Sequence, residues 1–147
     1  MPYRARVLIT VERVALLKRV ALFSATPDRA LAGLAQVVTE VEVSAGDTVM
    51  REGDVEDWLY VVVDGELEVL RHDRHATVAS GEVVGELAVL DPMPRSATVL
   101  AVTDSLLFRL DKAAFDDAVA VRPEIARGVI VELVRRLRAP LERPSLP

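Results

Sequence analysis

The chain has 147 residues, 51% of them hydrophobic and 28% charged, and this composition predicts one globular domain with a sizeable core. Its 23 acidic and 18 basic side chains give a net charge of −5, which argues against generic nucleic-acid binding, and the lack of cysteine excludes disulfides and thiol catalysis. No apolar run is long enough to enter a membrane as a span or to form the core of a signal peptide, so a cytoplasmic protein with no membrane insertion is expected.

Helical patterns come first along the chain. Residues 1–10 are expected to form a leader, and apolar side chains at helical spacing predict a helix from Val11. The run Thr26-Pro27-Asp28 combines a capping residue, a proline at the first helical position and an acid. It therefore predicts a second helix, capped by Thr26 and ending near Val37.

From residue 38 the apolar period changes to two, which is typical of β-strands. The pair Asp64-Gly65 is the usual signal of a two-residue hairpin. Strands are predicted at residues 41–43, 48–50, 58–63, 66–70, 76–78, 99–102 and 105–110. Many short strands with closely spaced turns favour a closed roll or barrel.

Two helices are predicted after the strands. Asp111 caps the first, the run Arg122-Pro123-Glu124 separates the two, and Pro140 is expected to end the second. The single domain is therefore predicted to span residues 11–138, with a tail at 139–147. The last helix carries an apolar stripe whose partner the pattern leaves open, either the roll or another protein: Ile125, Val129, Ile130, Leu133, Val134 and Leu137.

The polar run His72-Asp73-Arg74-His75 holds both histidines of the chain. A metal site needs three or more ligands in fixed geometry, and here only Asp73 is available as a third. A solvated hairpin tip is the preferred interpretation, because mixed charge is typical of an exposed turn. No metal ligands are assigned, and a small metal-dependent barrel enzyme of the cupin type is kept only as a weak alternative.

The stretch from Gly85 to Val99 concentrates polar chemistry inside an apolar run. Gly85 permits a sharp turn and the close approach of a ligand. Residues 86–90 favour a short helical turn, whose first N–H groups form an anion site. Two prolines then stiffen the return to Arg95, whose guanidinium suits a phosphate, with the Ser96 hydroxyl beside it.

These groups indicate a ligand with one phosphate and an alcohol. Arg95, Ser96 and backbone N–H groups suit the anion, whereas Glu86 accepts hydrogen bonds and suits a sugar hydroxyl. A cyclic 3′,5′-nucleotide has one phosphate charge and one free ribose hydroxyl, so it fits. The alternative from the residues alone is that Glu86 and Arg95 form a structural ion pair that closes a surface turn.

The run Gly85-Glu86-Leu87-Ala88, followed by the run from Pro94 to Val99, resembles the phosphate-binding cassette of cyclic nucleotide-binding domains. The resemblance extends over residues 16–137. It implies an eight-stranded β-roll, mainly β in class, with N-terminal helices and two C-terminal helices, as in cAMP receptors and kinase regulatory subunits. One departure is Val84, where the family usually has an aromatic residue.

The same resemblance implies the site. Glu86 would bind the ribose 2′-hydroxyl and Arg95 the cyclic phosphate, with Ser96 adding a hydroxyl. Backbone groups of Gly85, Leu87 and Ala88 would complete the contacts, and Ala97 belongs to the same motif. The expected ligand is cAMP, or else cGMP, because a threonine after the arginine is associated with cGMP in this family and Ser96 lacks its methyl group.

The predicted function is regulation without catalysis, since no catalytic arrangement or cofactor motif is found. Ligand binding is expected to re-dock the last helix, which would signal to an effector protein or form a homodimer. No element for reading DNA is expected after residue 137. The main alternative is an interaction module of the same fold that binds no nucleotide.

Overall fold

The structure is a computed structural model that describes residues 10–142. The helices are α1 (Thr10–Lys18), α2 (Asp28–Ala35), α3 (Lys112–Val121) and α4 (Glu124–Glu142). The strands are β1 (Thr39–Val43), β2 (Thr48–Met50), β3 (Trp58–Asp64), β4 (Glu66–Arg71), β5 (Arg74–Ala79), β6 (Val83–Val84), β7 (Thr98–Ala101) and β8 (Ser105–Asp111). Two short 3₁₀ turns lie at Ala21–Phe23 and Glu86–Val89.

The eight strands form two antiparallel sheets of four, in the orders β1-β8-β3-β6 and β2-β7-β4-β5. The predicted eight-stranded roll with flanking helices is therefore confirmed. Seven of the eight strands were predicted individually. The one that was not is β6, which is only two residues long and pairs with Tyr60 and Val61 of β3.

Two apolar clusters hold the fold together, and β3 contributes to both. Tyr60 and Val62 point between the two sheets, whereas Leu59 and Val61 point towards the helices. Successive side chains of a strand alternate between faces, so a strand buried on both faces reads as a continuous apolar run. The helix-facing cluster includes Leu17, Phe23, Leu31, Leu34, Phe108, Leu110, Phe115 and Ile125.

The predicted hairpin at Asp64-Gly65 is wrong. β3 and β4 belong to different sheets, so this turn is a corner that carries the chain from one sheet to the other. Gly65 has φ +112°, and a Cβ there would overlap the Ser105 side chain and lie 2.8 Å from Ser105 Cα. Glu66 N–H donates to Ser105 Oγ across the corner at 3.2 Å. Glycine is needed here for close packing as well as for its φ angle.

The start of α2 also differs from the prediction. Pro27 is the residue that precedes the helix, with φ −60° and ψ 145°, and no side chain caps it. Thr26 is buried, and its Oγ1 has no hydrogen-bond partner within residues 10–142. The helix ends at Ala35, slightly before the predicted end near Val37.

The C-terminal helices follow the prediction except at their end. Asp111 Oδ1 caps α3 by accepting from Ala114 N–H at 2.8 Å, and the chain breaks between Val121 and Glu124 as expected. Pro140 does not stop α4, which continues to Glu142. A proline near the end of a helix removes only one backbone bond, and solvent is available there to replace it. Residues 1–9 of the predicted leader and residues 143–147 of the predicted tail lie outside the described residues.

The apolar stripe on α4 packs against the domain only in part, and Leu133 is half-buried against the helix-facing cluster. Ile125 and Val129 are buried in the helix-facing cluster. Ile130 and Leu137 are 59% and 75% exposed. The helix therefore presents part of its apolar stripe, including Ile130, Val134 and Leu137, to its surroundings.

Candidate functional site

A left-handed glycine sets the geometry of the first site segment. Gly85 has φ +72° and ψ +30°, and the predicted helical turn follows as the 3₁₀ turn Glu86–Val89. Ala88 and Val89 are buried and fix this turn to the core, whereas Leu87 is 50% exposed. A Cβ at residue 85 would overlap Arg95 Nη1, so the absence of a side chain lets the guanidinium lie directly on the backbone.

Arg95 is held in place by its backbone and by its side chain. Its N–H donates to Asp54 O at 2.8 Å, and its carbonyl accepts from Gly53 N–H at 2.9 Å. The residue is only 7% exposed. Its Nε donates to Glu56 Oε1 at 3.1 Å, and Nη2 donates to the carbonyl of Trp58. The guanidinium is thus oriented before any ligand arrives, with Nη1 beside Gly85.

Glu86 binds the last helix in this structure. Its Oε1 accepts from Arg136 Nη2 of α4 at 2.7 Å, and Oε2 accepts from the backbone of Leu22 at 3.4 Å. Arg136 also donates through Nε to Glu132 at 3.0 Å, and this hydrogen bond is the main cause that raises the pKa of Arg136. Glu86 and Arg95 have different partners, which argues against the simple ion pair considered from the sequence.

Ser96 has an arginine neighbour that the sequence analysis did not select. Arg71, the last residue of β4, donates from Nη2 to Ser96 Oγ at 2.7 Å. Leu67, Val69 and Arg71 are two residues apart and share one face of the strand, and Leu67 is buried between the sheets. This alternation was the available signal, but the strand predicted at residues 66–70 ended one residue before Arg71.

All seven predicted site residues line one cavity of about 650 Å³: Gly85, Glu86, Leu87, Ala88, Arg95, Ser96 and Ala97. This volume lies within the range typical of small-molecule sites, roughly 300–1,000 Å³. The remaining wall is mostly apolar, and these residues had not been selected: Met50, Val69, Val84, Met93, Val99 and Leu133. Leu133 belongs to α4, so the last helix forms part of the cavity wall.

The histidine hairpin lies on β4 and β5, with His72 in the turn at φ +55°. His75 Nδ1 pairs with Glu68 Oε1 at 2.6 Å. Residues 10–142 contain no group of three or more His, Asp or Glu side chains arranged to hold a metal ion. Within the same range, none of the helices has the length and apolar character needed to cross a membrane.

The family model of the cyclic nucleotide-binding domain matches residues 40–121, which include all eight strands except the first residue of β1, and the segment from Gly85 to Val99. The chain belongs to this family. It is 29% identical over 129 residues to the CRP-like cAMP-activated global transcriptional regulator of Mycobacterium tuberculosis, covering 84% of this chain and 58% of that protein. It is 36% identical over 104 residues to the cAMP-dependent protein kinase regulatory subunit of Aspergillus fumigatus, covering 69% of this chain and 25% of that one.

A solved structure supports the same assignment. The N-terminal domain of a transcriptional regulator from Streptomyces coelicolor A3(2) superposes with a TM-score of 0.79 and 36% identity. The match covers 86% of this chain and 93% of that domain. By contrast, the chain spans 58% or less of the length of the two curated relatives described above.

Proposed function

We propose that this chain is a sensor domain that binds a cyclic 3′,5′-nucleotide, with cAMP as the first expected ligand and cGMP as the second. The observation that carries the proposal is the gathering of Gly85, Glu86, Arg95 and Ser96 around one cavity. Arg95 offers a fixed fork of donors for a phosphate, and Glu86 offers an acceptor for a sugar hydroxyl. The names of the two curated relatives, one cAMP-activated and one cAMP-dependent, support cAMP.

The roles of the individual residues follow from their chemistry. Arg95 Nη1 would donate to a phosphate oxygen while Nε and Nη2 stay on Glu56 and Trp58. Gly85, Leu87, Ala88 and Ala97 line the same cavity, and their backbone groups would complete the contacts. Ser96 adds one hydroxyl. Because it lacks the threonine methyl, it supports only a modest preference for cAMP over cGMP.

The signal would arise from competition for Glu86. In this structure the carboxylate accepts from Arg136 of α4, and a ribose 2′-hydroxyl would need the same oxygens. A ligand that binds Glu86 would release Arg136, and this differential contact would shift the position of α4. Leu133 of the same helix lines the cavity, so the helix would also sense ligand contact directly.

The output would be carried by the exposed part of the apolar stripe on α4. Its apolar side chains, Ile130 and Leu137 among them, suit a second copy of the chain or an effector protein. The proposed role is regulatory and not enzymatic. An interaction module that uses this fold without a nucleotide is the outcome that a failed binding experiment would favour.

Replacing Arg136 tests the competition. The Glu86 and Arg136 side chains are 20% and 35% exposed, so their ion pair contributes about 0.5–1 kcal/mol. Arg136→Gln should therefore tighten cAMP binding by roughly two- to fivefold, as measured by calorimetry. Arg135→Gln is the matched control, because Arg135 is exposed on the same turn and should leave affinity unchanged. Weaker binding by the Arg136 variant would mean that Arg136 holds the ligand and does not compete with it.

A further inference from the structure

The charged groups of the cavity are unequally compensated. Arg95 is paired with Glu56, and Arg136 is shared between Glu86 and Glu132. Arg71 also lines the cavity, yet within residues 10–142 it has no carboxylate partner, and Ser96 Oγ is its hydrogen-bond acceptor. Among these three arginines, Arg71 is therefore the one whose positive charge is not balanced by a neighbouring carboxylate.

An incoming cyclic phosphate needs such a charge. Buried Arg95 and half-buried Glu56 are neutral as a pair, so Arg95 supplies hydrogen-bond geometry with little net positive charge. Two acids, Glu86 and Asp91, line the same cavity and oppose an anion. Arg71 is the group that would balance the single negative charge of the phosphate.

The contact between Arg71 and Ser96 adds an orienting effect. A serine hydroxyl has one hydrogen to donate and two lone pairs to accept with. Because Ser96 Oγ accepts from Arg71 at 2.7 Å, its hydrogen is directed away from the guanidinium and is free for a ligand oxygen. A phosphate oxygen that accepted this hydrogen would lie close to Arg71 as well.

We propose that Arg71 is a second phosphate-binding side chain, which supplies the uncompensated charge of the site and orients the Ser96 hydroxyl towards the phosphate. This inference rests on the proposed function and extends its ligand contacts from the segment at 85–99 to strand β4. Because it concerns the phosphate and not the base, it predicts an equal effect on every cyclic nucleotide that binds.

The chain offers a matched control in the same hairpin. Arg74, the first residue of β5, faces Arg71 across the strand pair and is exposed, but it does not line the cavity. Arg71→Gln and Arg74→Gln remove the same charge from neighbouring positions. The conservative variant Arg71→Lys retains the charge but loses the planar fork of donors.

The test titrates cAMP and cGMP into the parent chain and these three variants, with circular dichroism to show that each is folded. Because Arg71 is exposed, Arg71→Gln should weaken both ligands by the same factor, roughly five- to tenfold, as expected for a charged hydrogen bond that solvent partly screens. Arg71→Lys should lose less, and Arg74→Gln should bind like the parent. The difference between parent and Arg71→Gln should shrink as salt rises from about 0.05 to about 0.5 M, because screening weakens an exposed charge.

The other outcomes separate the two proposals. Absence of binding by the parent chain would overturn the proposed function and this inference together. Parent binding that Arg71→Gln leaves unchanged would overturn this inference alone. A loss confined to one nucleotide would assign Arg71 to the base, and an equal loss in Arg74→Gln would reduce its effect to the general charge of the hairpin. Either of these two results would also overturn the inference that Arg71 binds the phosphate.

Discussion

Gly85 offers a sharp test, because alanine there should weaken ligand binding, whereas alanine at another glycine with a positive φ should cost stability alone. The position has φ +72°, and a Cβ would overlap Arg95 Nη1 and lie 2.9 Å from Met50 Cε. Both atoms are the ends of flexible side chains, so the fold can yield. The guanidinium, however, cannot move away without loosening its bonds to Glu56 and Trp58.

The substitution Gly85→Ala has separate costs in stability and in ligand binding. Alanine in the left-handed region costs roughly 1–2 kcal/mol of stability. Displacing Arg95 adds about 1–3 kcal/mol by weakening one charged hydrogen bond. In binding, loss of the aligned Nη1 donor costs about 1.5–3 kcal/mol, which corresponds to roughly a 10- to 150-fold weaker affinity for cAMP.

Gly46→Ala is the matched control. Gly46 also has a positive φ, +90°, but nothing lies within 4 Å of a Cβ built there. It should show the backbone cost alone and keep the parent affinity. Urea unfolding gives the stability of each variant. Calorimetry gives the affinity for cAMP, and the fluorescence of Trp58, the only tryptophan, is a second readout because its carbonyl accepts from Arg95. Equal affinities for Gly85→Ala and Gly46→Ala would refute the idea that the bare backbone at residue 85 positions Arg95.

Two further pairs of variants test the site and the packing of the last helix. Arg95→Ala should weaken cAMP binding by about 2–5 kcal/mol and leave Glu56 without its partner. Arg95→Lys should also weaken cAMP binding, because the planar fork of donors is lost. If calorimetry finds the parent affinity in both variants, Arg95 does not bind the ligand. Gly128→Ala should destabilise the fold, because a Cβ there would lie 3.1 Å from backbone atoms of Thr26. Gly33→Ala should stabilise the fold by about 0.5–1 kcal/mol, because the atom nearest to its Cβ would be 3.8 Å away. Denaturant unfolding that found Gly128→Ala more stable than Gly33→Ala would contradict both expectations.

The parts of the site that lie close together in sequence were predictable. Gly85, Glu86 and Arg95 belong to one short segment, and its glycine, helical turn and arginine each have a local physical reason. The structure brings the predicted residues to one cavity because the turn at 86–89 is anchored by Ala88 and Val89.

Long-range contacts were not predictable from the residues alone. The bond from Arg136 to Glu86 joins positions 50 residues apart, and nothing in the local pattern distinguishes Arg136 from its arginine neighbours on α4. Arg71 likewise lies beside Ser96 because β4 pairs with β7, and this pairing of distant strands is not visible in the residues around Arg71.

The Asp64-Gly65 turn shows a different limit. The same two residues suit a tight hairpin and a corner between sheets, because both need a positive φ at glycine. The choice depends on Ser105, about 40 residues away, which fills the space where a side chain would be. A local signal therefore located the turn correctly but assigned the wrong strand pairing.

The most direct test of the central claim is calorimetric titration of the folded, nucleotide-free chain with cAMP and then with cGMP. Saturable one-to-one binding near micromolar, about −8 kcal/mol, is expected, with cAMP bound at least as tightly as cGMP. Absence of heat and of any change in Trp58 fluorescence with either nucleotide would contradict the account and favour an interaction module that uses this fold without a nucleotide.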